Sequence, residues 1–345
     1  MGTITIREIA ARAGVSISAV SIALNGRRGI SDETRARILR IVDESRYTPN
    51  PNSRRLLMGR SDTIAVLVDA DISVLANLFY SEINNELISA SASFGYSLSY
   101  AGYTVRGGRV TLPRVITARD AAGIIFLGDP REEVAREVRT MRVPYVVADT
   151  HKPQDGACAE TAAYVDYEQS AYRAVCYLHE RGHGSAGYFG STNPLYNARV
   201  YAGFTRALRD TGLTHDPRWV TAADNDDADA EEKTETLLRE WDELPDAVFY
   251  SGDILAIGSI RALRRHGVEV PRDLSTVSID NILLAEYVTP RLTTVNVDRA
   301  LIARTCLELL VERVEQPGTP CRAVRVRSDE LLIRDSVQDG RYAEK

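Results

Sequence analysis

From Thr63 onward the chain alternates short β-rich runs with helical stretches, and this alternation constrains the fold more than any other feature. The runs are Ile64–Val68, Tyr96–Tyr100, Gly123–Leu127, Tyr145–Ala148, Tyr164–Asp166, Ala186–Gly190, Ala247–Tyr250 and Thr276–Ile279. Between them lie helical patterns at Phe79–Phe94, Glu132–Met141, Glu168–Arg181, Ala198–Asp210, Glu231–Trp241 and Ile254–Arg265. Strands separated by helices return in parallel, so the expected body is a doubly wound α/β structure. Some 280 residues exceed one comfortable core. Two parallel-sheet subdomains facing a cleft are therefore expected, one from 61–161 with 291–321, the other from 162–290 with 322–340, before a tail at 341–345.

The first sixty residues follow a different plan. Thr5 and Glu8 have the spacing of a capping box, Ile6, Ile9, Ala10 and Ala13 recur at helical intervals, and Gly14 ends the helix. Ser16 caps a second helix with Ala19, Val20, Ala23 and Leu24 inward, and Asn25-Gly26 closes it. Ser31 caps a third helix whose apolar face is Ile38, Leu39, Ile41 and Val42. Two short helices joined by a glycine-containing turn and buttressed by a third form a helix-turn-helix.

Charge marks the same boundary. The whole chain carries −6, which argues against a polyanion partner. Residues 1–60, however, hold eleven arginines and no lysine against five acids, a local charge of +6 that leaves −12 on the remainder. A basic module on an acidic body points to nucleic acid at one end. In a helix-turn-helix the second helix enters the major groove by its N-terminus. The outward positions there are Ile17, Ser18, Ser21 and Ile22, while Ser16, Asn25, Ser31 and Thr34 sit where caps and helix ends hold phosphates. Two isoleucines offer no hydrogen bond to a base edge and suit thymine methyls.

The stretch Thr5–Asn25, with Ile30–Leu39 and Tyr47–Arg60, resembles the headpiece of the lactose/galactose repressor (LacI) family. The resemblance continues at Gly182-His183, Ala198-Arg199, Gly203-Phe204, Tyr250–Gly258, Val270–Asn281 and Pro290–Val295. It implies an all-α helix-turn-helix headpiece (1–47), a hinge (48–60) and a periplasmic-binding-protein-like body. It further implies a homodimeric repressor on a pseudo-palindromic operator, controlled by a small polar, carbohydrate-like effector held between lobes. Thr5 and Tyr47 join the DNA-contacting candidates on this ground. In such proteins the hinge becomes helical in the DNA-bound dimer and a leucine enters the minor groove; by position this is Leu56. Asn50 can cap that helix, Pro51 suits its first position, and Arg54 and Arg55 add groove or phosphate contacts.

Ligands of open α/β sheets bind beyond the C-terminal ends of the strands. Candidate effector residues there are Asp69, Asp149, Asp253 and Asp280, with Phe79 and Tyr80 as an aromatic floor. The family resemblance assigns effector contacts to Arg199 and Asp280. It also places Asn225 where many relatives carry an aromatic ring.

Two motif matches fail on context. His179–His183 spells HExxH, but Gly182 ends the helix, so the two histidines leave a common face. Gly182-x-Gly184-x-x-Gly187 precedes a strand instead of opening a helix, so it cannot seat a pyrophosphate. With no P-loop and no GxSxG elbow, no enzyme, cofactor or metal site is expected. Cys158, Cys176, Cys306 and Cys321 are widely spaced, as in a reducing compartment. The N-terminus shows no basic-then-apolar leader, and no apolar run reaches the ~18–20 residues of a membrane helix. The expected location is the cytoplasm, and the competing class, a solute-binding module, lacks the headpiece.

Overall fold

The computed structural model describes residues 4–24, 28–45, 47, 61–71, 77–152, 160–240 and 243–340. It divides into two compact units, Met1–Asp62 and Thr63–Lys345.

The first unit contains α1 (Ile6–Ala13), α2 (Ile17–Leu24) and α3 (Asp32–Glu44). The capping box forms as expected: Glu8 N–H donates to Thr5 Oγ1 at 3.4 Å, and Thr5 N–H donates to Glu8 Oε2 at 2.6 Å. That backbone bond is the main reason the Glu8 carboxyl titrates below its ordinary value. Gly14 then takes φ 64°, the left-handed conformation that ends α1. The core is Ile9, Ala10, Ala13, Val20, Ala23, Ile38 and Tyr47. One expectation is corrected: Leu39 is 38% exposed and not part of the apolar face. Tyr47 is 9% exposed, with its ring packed in the small core.

The second unit holds two sheets. The strands of the first are β1 (Thr63–Asp69), β2 (Ser97–Arg106), β3 (Arg109–Thr111), β4 (Gly123–Leu127), β5 (Tyr145–Ala148), β6 (Ala162–Val165) and β12 (Ala323–Val326). Their spatial order is β12-β6-β5-β4-β1-β2-β3, parallel except for the β2–β3 hairpin. The second sheet has β7 (Ala186–Ser191), β8 (Val220–Ala223), β9 (Ala247–Tyr250), β10 (Ser275–Asp280), β11 (Thr293–Asn296) and β13 (Leu331–Leu332). Its order is β13-β11-β10-β9-β7-β8, antiparallel only at β13. β4, β5, β9 and β10 are buried throughout, as parallel strands covered on both faces must be.

The helices of this unit are α4 (Leu78–Ser91), α5 (Arg114–Thr117), α6 (Glu132–Met141), α7 (Tyr167–Glu180), α8 (Pro194–Thr211), α9 (Asp227–Glu240), α10 (Asp253–Arg265) and α11 (Arg299–Glu315). Two glycines of the family-like motifs permit close helix pairing. A Cβ on Gly203 of α8 would lie 2.0 Å from the Glu168 carbonyl of α7, and one on Gly258 of α10 would lie 2.1 Å from that of Asp227 in α9.

The sheets partition the chain at points other than those expected. β6 belongs to the first sheet although it begins at 162, and β11 belongs to the second although it lies within 291–321. α11 returns to pack on β4, β5, β6 and α4, and β12 rejoins the first sheet although it lies beyond 322. The chain therefore passes between sheets after β6, after β11 and after β12. Among the described residues no helix is long and apolar enough to cross a membrane.

Candidate functional site

The N-terminal unit presents α2 by its first turn. Ser16 Oγ accepts the Ala19 N–H at 3.2 Å, and Ser16, Ile17 and Ser18 are exposed, with 40% of Ile17 accessible. Ser21 and Ile22 are half-buried, and the Ile22 side chain turns toward Gly29. Arg35 donates from Nη1 to the Ile22 and Ala23 carbonyls at 3.3 and 3.2 Å, so it satisfies the C-terminal end of α2. Ser31 caps α3 by accepting the Thr34 N–H at 3.2 Å, and the two hydroxyls lie 2.8 Å apart. Thr5 is engaged in its capping box. Asn25, Asn50, Arg54, Arg55 and Leu56 lie outside the described residues.

In the second unit a cavity of about 180 Å³ opens where strands of both sheets end. Asp149 and His151 follow β5, Ser191 ends β7, Asn225 follows β8 and Asp280 ends β10. Asn77, Phe79 and Tyr80 come from the start of α4, Tyr167 from the start of α7, and Asn193 and Tyr196 from the start of α8. Local sequence fixes these starts: Asn77 accepts the Phe79 N–H, and Asn193 accepts those of Leu195 and Tyr196 with Pro194 in the first helical turn.

Asp149 organises one wall. Its carboxylate accepts from Tyr167 Oη at 2.9 Å and Tyr80 Oη at 3.4 Å and lies 3.2 Å from His151 Nε2. Asp129 holds the loop beneath, accepting from Thr150 Oγ1 at 2.6 Å and the His151 N–H at 2.8 Å. Burial works against the His151 cation, but the Asp149 carboxylate and then Asp129 outweigh it, so the imidazole titrates above its usual range. Tyr80, Tyr167 and Tyr196 are pushed well above ordinary phenols, first by burial and then by nearby carboxylates. The Tyr167 and Tyr196 rings meet in a T-shaped contact with centroids 4.7 Å apart, and the Tyr196 and His151 centroids lie 5.0 Å apart at a tilt of 51°.

Asp280 forms the opposite wall. Asp149, Asp280 and Asn281 adopt positive φ values of 62°, 118° and 55°, conformations that cost a non-glycine residue about 1–3 kcal/mol and cluster at functional sites. Arg299 keeps the second bend in place: it donates to the Asp280, Asn281 and Val297 carbonyls and pairs with Glu82 at 2.8 Å. Among the described residues no hydrogen bond reaches the Asp280 carboxylate, whose pKa is raised by burial and then by the charge of Asp253.

Of the seven effector candidates, Phe79, Tyr80, Asp149 and Asp280 come together around the cavity. Three do not line it. Asp69 is consumed by Arg131, whose Nε is 2.6 Å from Oδ2. Asp253 is buried under three donors: Ser278 Oγ at 2.5 Å, Thr294 Oγ1 at 2.6 Å and the Ile282 N–H at 2.8 Å. Arg199 places its guanidinium 5.9 Å from the Tyr164 ring centre, and among the described residues its buried Nη1 has no partner. Sequence reasoning missed His151, Tyr167 and Tyr196. His151 stands two residues past a strand end already singled out, but the tyrosines enter from helices whose direction only the packed sheets set.

The HExxH histidines separate as expected. α7 ends at Glu180, Gly182 has φ 80°, and the His183 N–H turns back to the Leu178 carbonyl. Among the described residues no cluster of three or more His, Cys, Asp or Glu side chains could hold a metal.

Residues 5–50 match the family described as bacterial regulatory proteins, lacI family, and residues 175–337 match a periplasmic binding protein-like domain. The chain is 30% identical over 341 residues to the HTH-type transcriptional repressor PurR of Vibrio atlanticus (strain LGP32), spanning 97% of this chain and 98% of the relative. It is 30% identical over 296 residues to Catabolite control protein A of Priestia megaterium, spanning 85% and 87%. It is similar in structure to a transcriptional regulator CelR–cellobiose complex, with TM-score 0.70 at 25% identity over 96% of this chain and 99% of that one. The headpiece, the two-sheet body and these similarities converge: the chain belongs to the LacI family of DNA-binding transcriptional regulators with an effector-binding body.

Proposed function

We propose that the protein is a repressor that binds a pseudo-palindromic operator as a homodimer and is switched by a small, carbohydrate-like effector. The observation that carries this reading is the pairing, in one chain, of an exposed helix-turn-helix face with a polar cavity shared by two sheets. The CelR–cellobiose complex, on a related chain, supports a sugar-like ligand. On the DNA side Ile17 and Ser18 meet base edges, Ser21 and Ile22 border them, and Ser16, Ser31 and Thr34 stand beside phosphates. Asn25 and the hinge residues Asn50, Arg54, Arg55 and Leu56 complete the surface as sequence candidates. On the effector side Phe79, Tyr80, Asp149 and Asp280 join His151, Tyr167 and Tyr196, with Arg199 beside them as a donor in reserve. A two-fold dimer requires two related half-sites.

The two sheets act as effector lobes, and a ligand touching both favours one arrangement of them. The coupling to DNA binding is typically about 1–3 kcal/mol. The protein performs no chemistry on its ligand and works in the cytoplasm, where the operator is. A gel-shift titration on operator fragments, repeated across a metabolite panel, tests this reading. A several-fold change in affinity with one metabolite class supports it, and affinity that is absent, or insensitive to salt, contradicts it.

A further inference from the structure

The effector cavity carries more negative charge than its own residues neutralise. Glu82 and Arg299 satisfy each other. The two oxygens of Asp129 are taken by Thr150 and the His151 backbone, and those of Asp149 by two phenols and the His151 ring. Asp253 is saturated by three donors. Asp280 is left. It is 91% buried, lines the cavity, and among the described residues receives no hydrogen bond on its carboxylate. Arg199, whose buried Nη1 has no partner among the described residues, does not line the cavity: it faces Tyr164, and its charge is felt at His151.

The space in front of Asp280 is bounded by more acceptors and by aromatic side chains. A Cβ on Gly252 would meet Asp280 Oδ2 at 3.3 Å and Asn225 Oδ1 at 3.5 Å, so two side-chain oxygens converge where glycine leaves room. Phe79, Tyr80, Tyr167 and Tyr196 supply the aromatic lining. Rings with a buried, unpaired carboxylate attract a cation by quadrupole and by charge. The volume of about 180 Å³ lies below the roughly 300–1,000 Å³ of drug-sized sites, so it fits a single ring. Asn77, Asn193 and Ser191 offer the neutral partners that hydroxyls need.

We infer that the effector is a monosaccharide-sized polyol carrying a protonated amine, with its ammonium seated between the Asp280 carboxylate and the aromatic rings. This rests on the reading of the cavity as the effector site and deepens it. The amine supplies the counter-charge that the chain omits. The raised pKa of this carboxyl, caused by burial and then by the charge of Asp253, agrees with that arrangement.

Calorimetric titration of the full chain at neutral pH tests this with matched probes. Glucosamine, galactosamine and mannosamine are each compared with the parent hexose and with the N-acetyl derivative, which keeps the ring and loses the charge. At least one amine is expected to bind about tenfold tighter than both of its neutral counterparts. Asp280→Asn should bring that amine to parity with its hexose, with thermal unfolding recorded to establish that the variant is folded. Asn225→Asp, which adds a second carboxylate at the same spot, should widen the preference. Neutral hexoses binding as tightly as their amines, or an amine preference that survives in Asp280→Asn, overturns the inference while leaving a carbohydrate-binding cavity standing. If no sugar of either kind binds, the carbohydrate-effector reading itself fails, and the amine proposal fails with it.

Discussion

The first turn of α2 and the cavity of the body present polar groups in opposite ways. α2 displays short hydroxyls and a 40% exposed isoleucine, with no charge among its eight residues. The cavity buries carboxylates, phenols and an imidazole and holds two of its aspartates at positive φ. An exposed face can be weakly committed because water and a large partner complete it. A cavity must carry its own polarity, and each buried charge needs either an internal partner or an external one. The difference teaches where an external partner is to be sought: at an unpaired buried group in the body and at an exposed apolar side chain on the headpiece.

The largest expected effect probes partnered against unpartnered carboxylates. Asp253→Asn sets an amide against three donors and should lower stability by about 2–3 kcal/mol in urea unfolding. Asp280→Asn, which removes an unpaired buried charge, should leave stability unchanged or raise it. Equal losses in the two variants would erase the distinction between them.

A second effect concerns pH. Burial, opposed by its donors, raises Asp253 from an ordinary carboxyl to about 6; Asp280 also rises, as does His151. Each group binds its proton more tightly when folded, so its contribution is complete below its unfolded pKa and lost as pH rises. The lowered carboxyls of Asp216, Asp273 and Asp335 act in the opposite sense, but no longer above about pH 5. From there the body should therefore melt at lower temperature as pH climbs to about 8, through the raised carboxyls first and His151 above about 6.5. His151→Gln should flatten the upper part of that decline. A melting temperature that rises over this range would contradict the assignment.

A smaller effect tests the headpiece. If Ile17 reads a thymine methyl, replacing that thymine by uracil in a selected operator should cost about 1 kcal/mol, and Ile17→Ala should abolish the difference. The smallest is Tyr47→Phe. Because the ring fills the headpiece core, removing only its hydroxyl should change operator affinity by less than about 0.5 kcal/mol. A larger loss would return Tyr47 to the DNA surface.

The sequence revealed these regions unevenly. Thr5, Gly14 and Ser31 punctuate the headpiece, and both ends of α1 and the start of α3 follow local rules. Strands β4, β5 and β9 likewise occupy the expected residues. α11 escaped because Ile302, Ala303, Thr305, Cys306, Leu307, Leu309 and Leu310 are buried around most of its girth, which blurs a one-sided stripe. The strand-end rule found Asp149 and Asp280 but selected Asp69 and Asp253 equally. What separates them is distant: Arg131 lies 62 positions from Asp69, and Ser278 and Thr294 lie 25 and 41 from Asp253. Partners so remote leave no local trace, so the sequence shows where a carboxylate stands and not whether it is already satisfied.

The central claim is that occupancy of the cavity controls the headpiece. It is tested most directly by operator affinity, measured by fluorescence anisotropy with and without a saturating ligand found by calorimetry, in the native chain and in Asp149→Asn. The account predicts a ligand-dependent change of about 5- to 150-fold in the native chain, largely lost in the variant. Calorimetric saturation of the cavity with no change in operator affinity would contradict it.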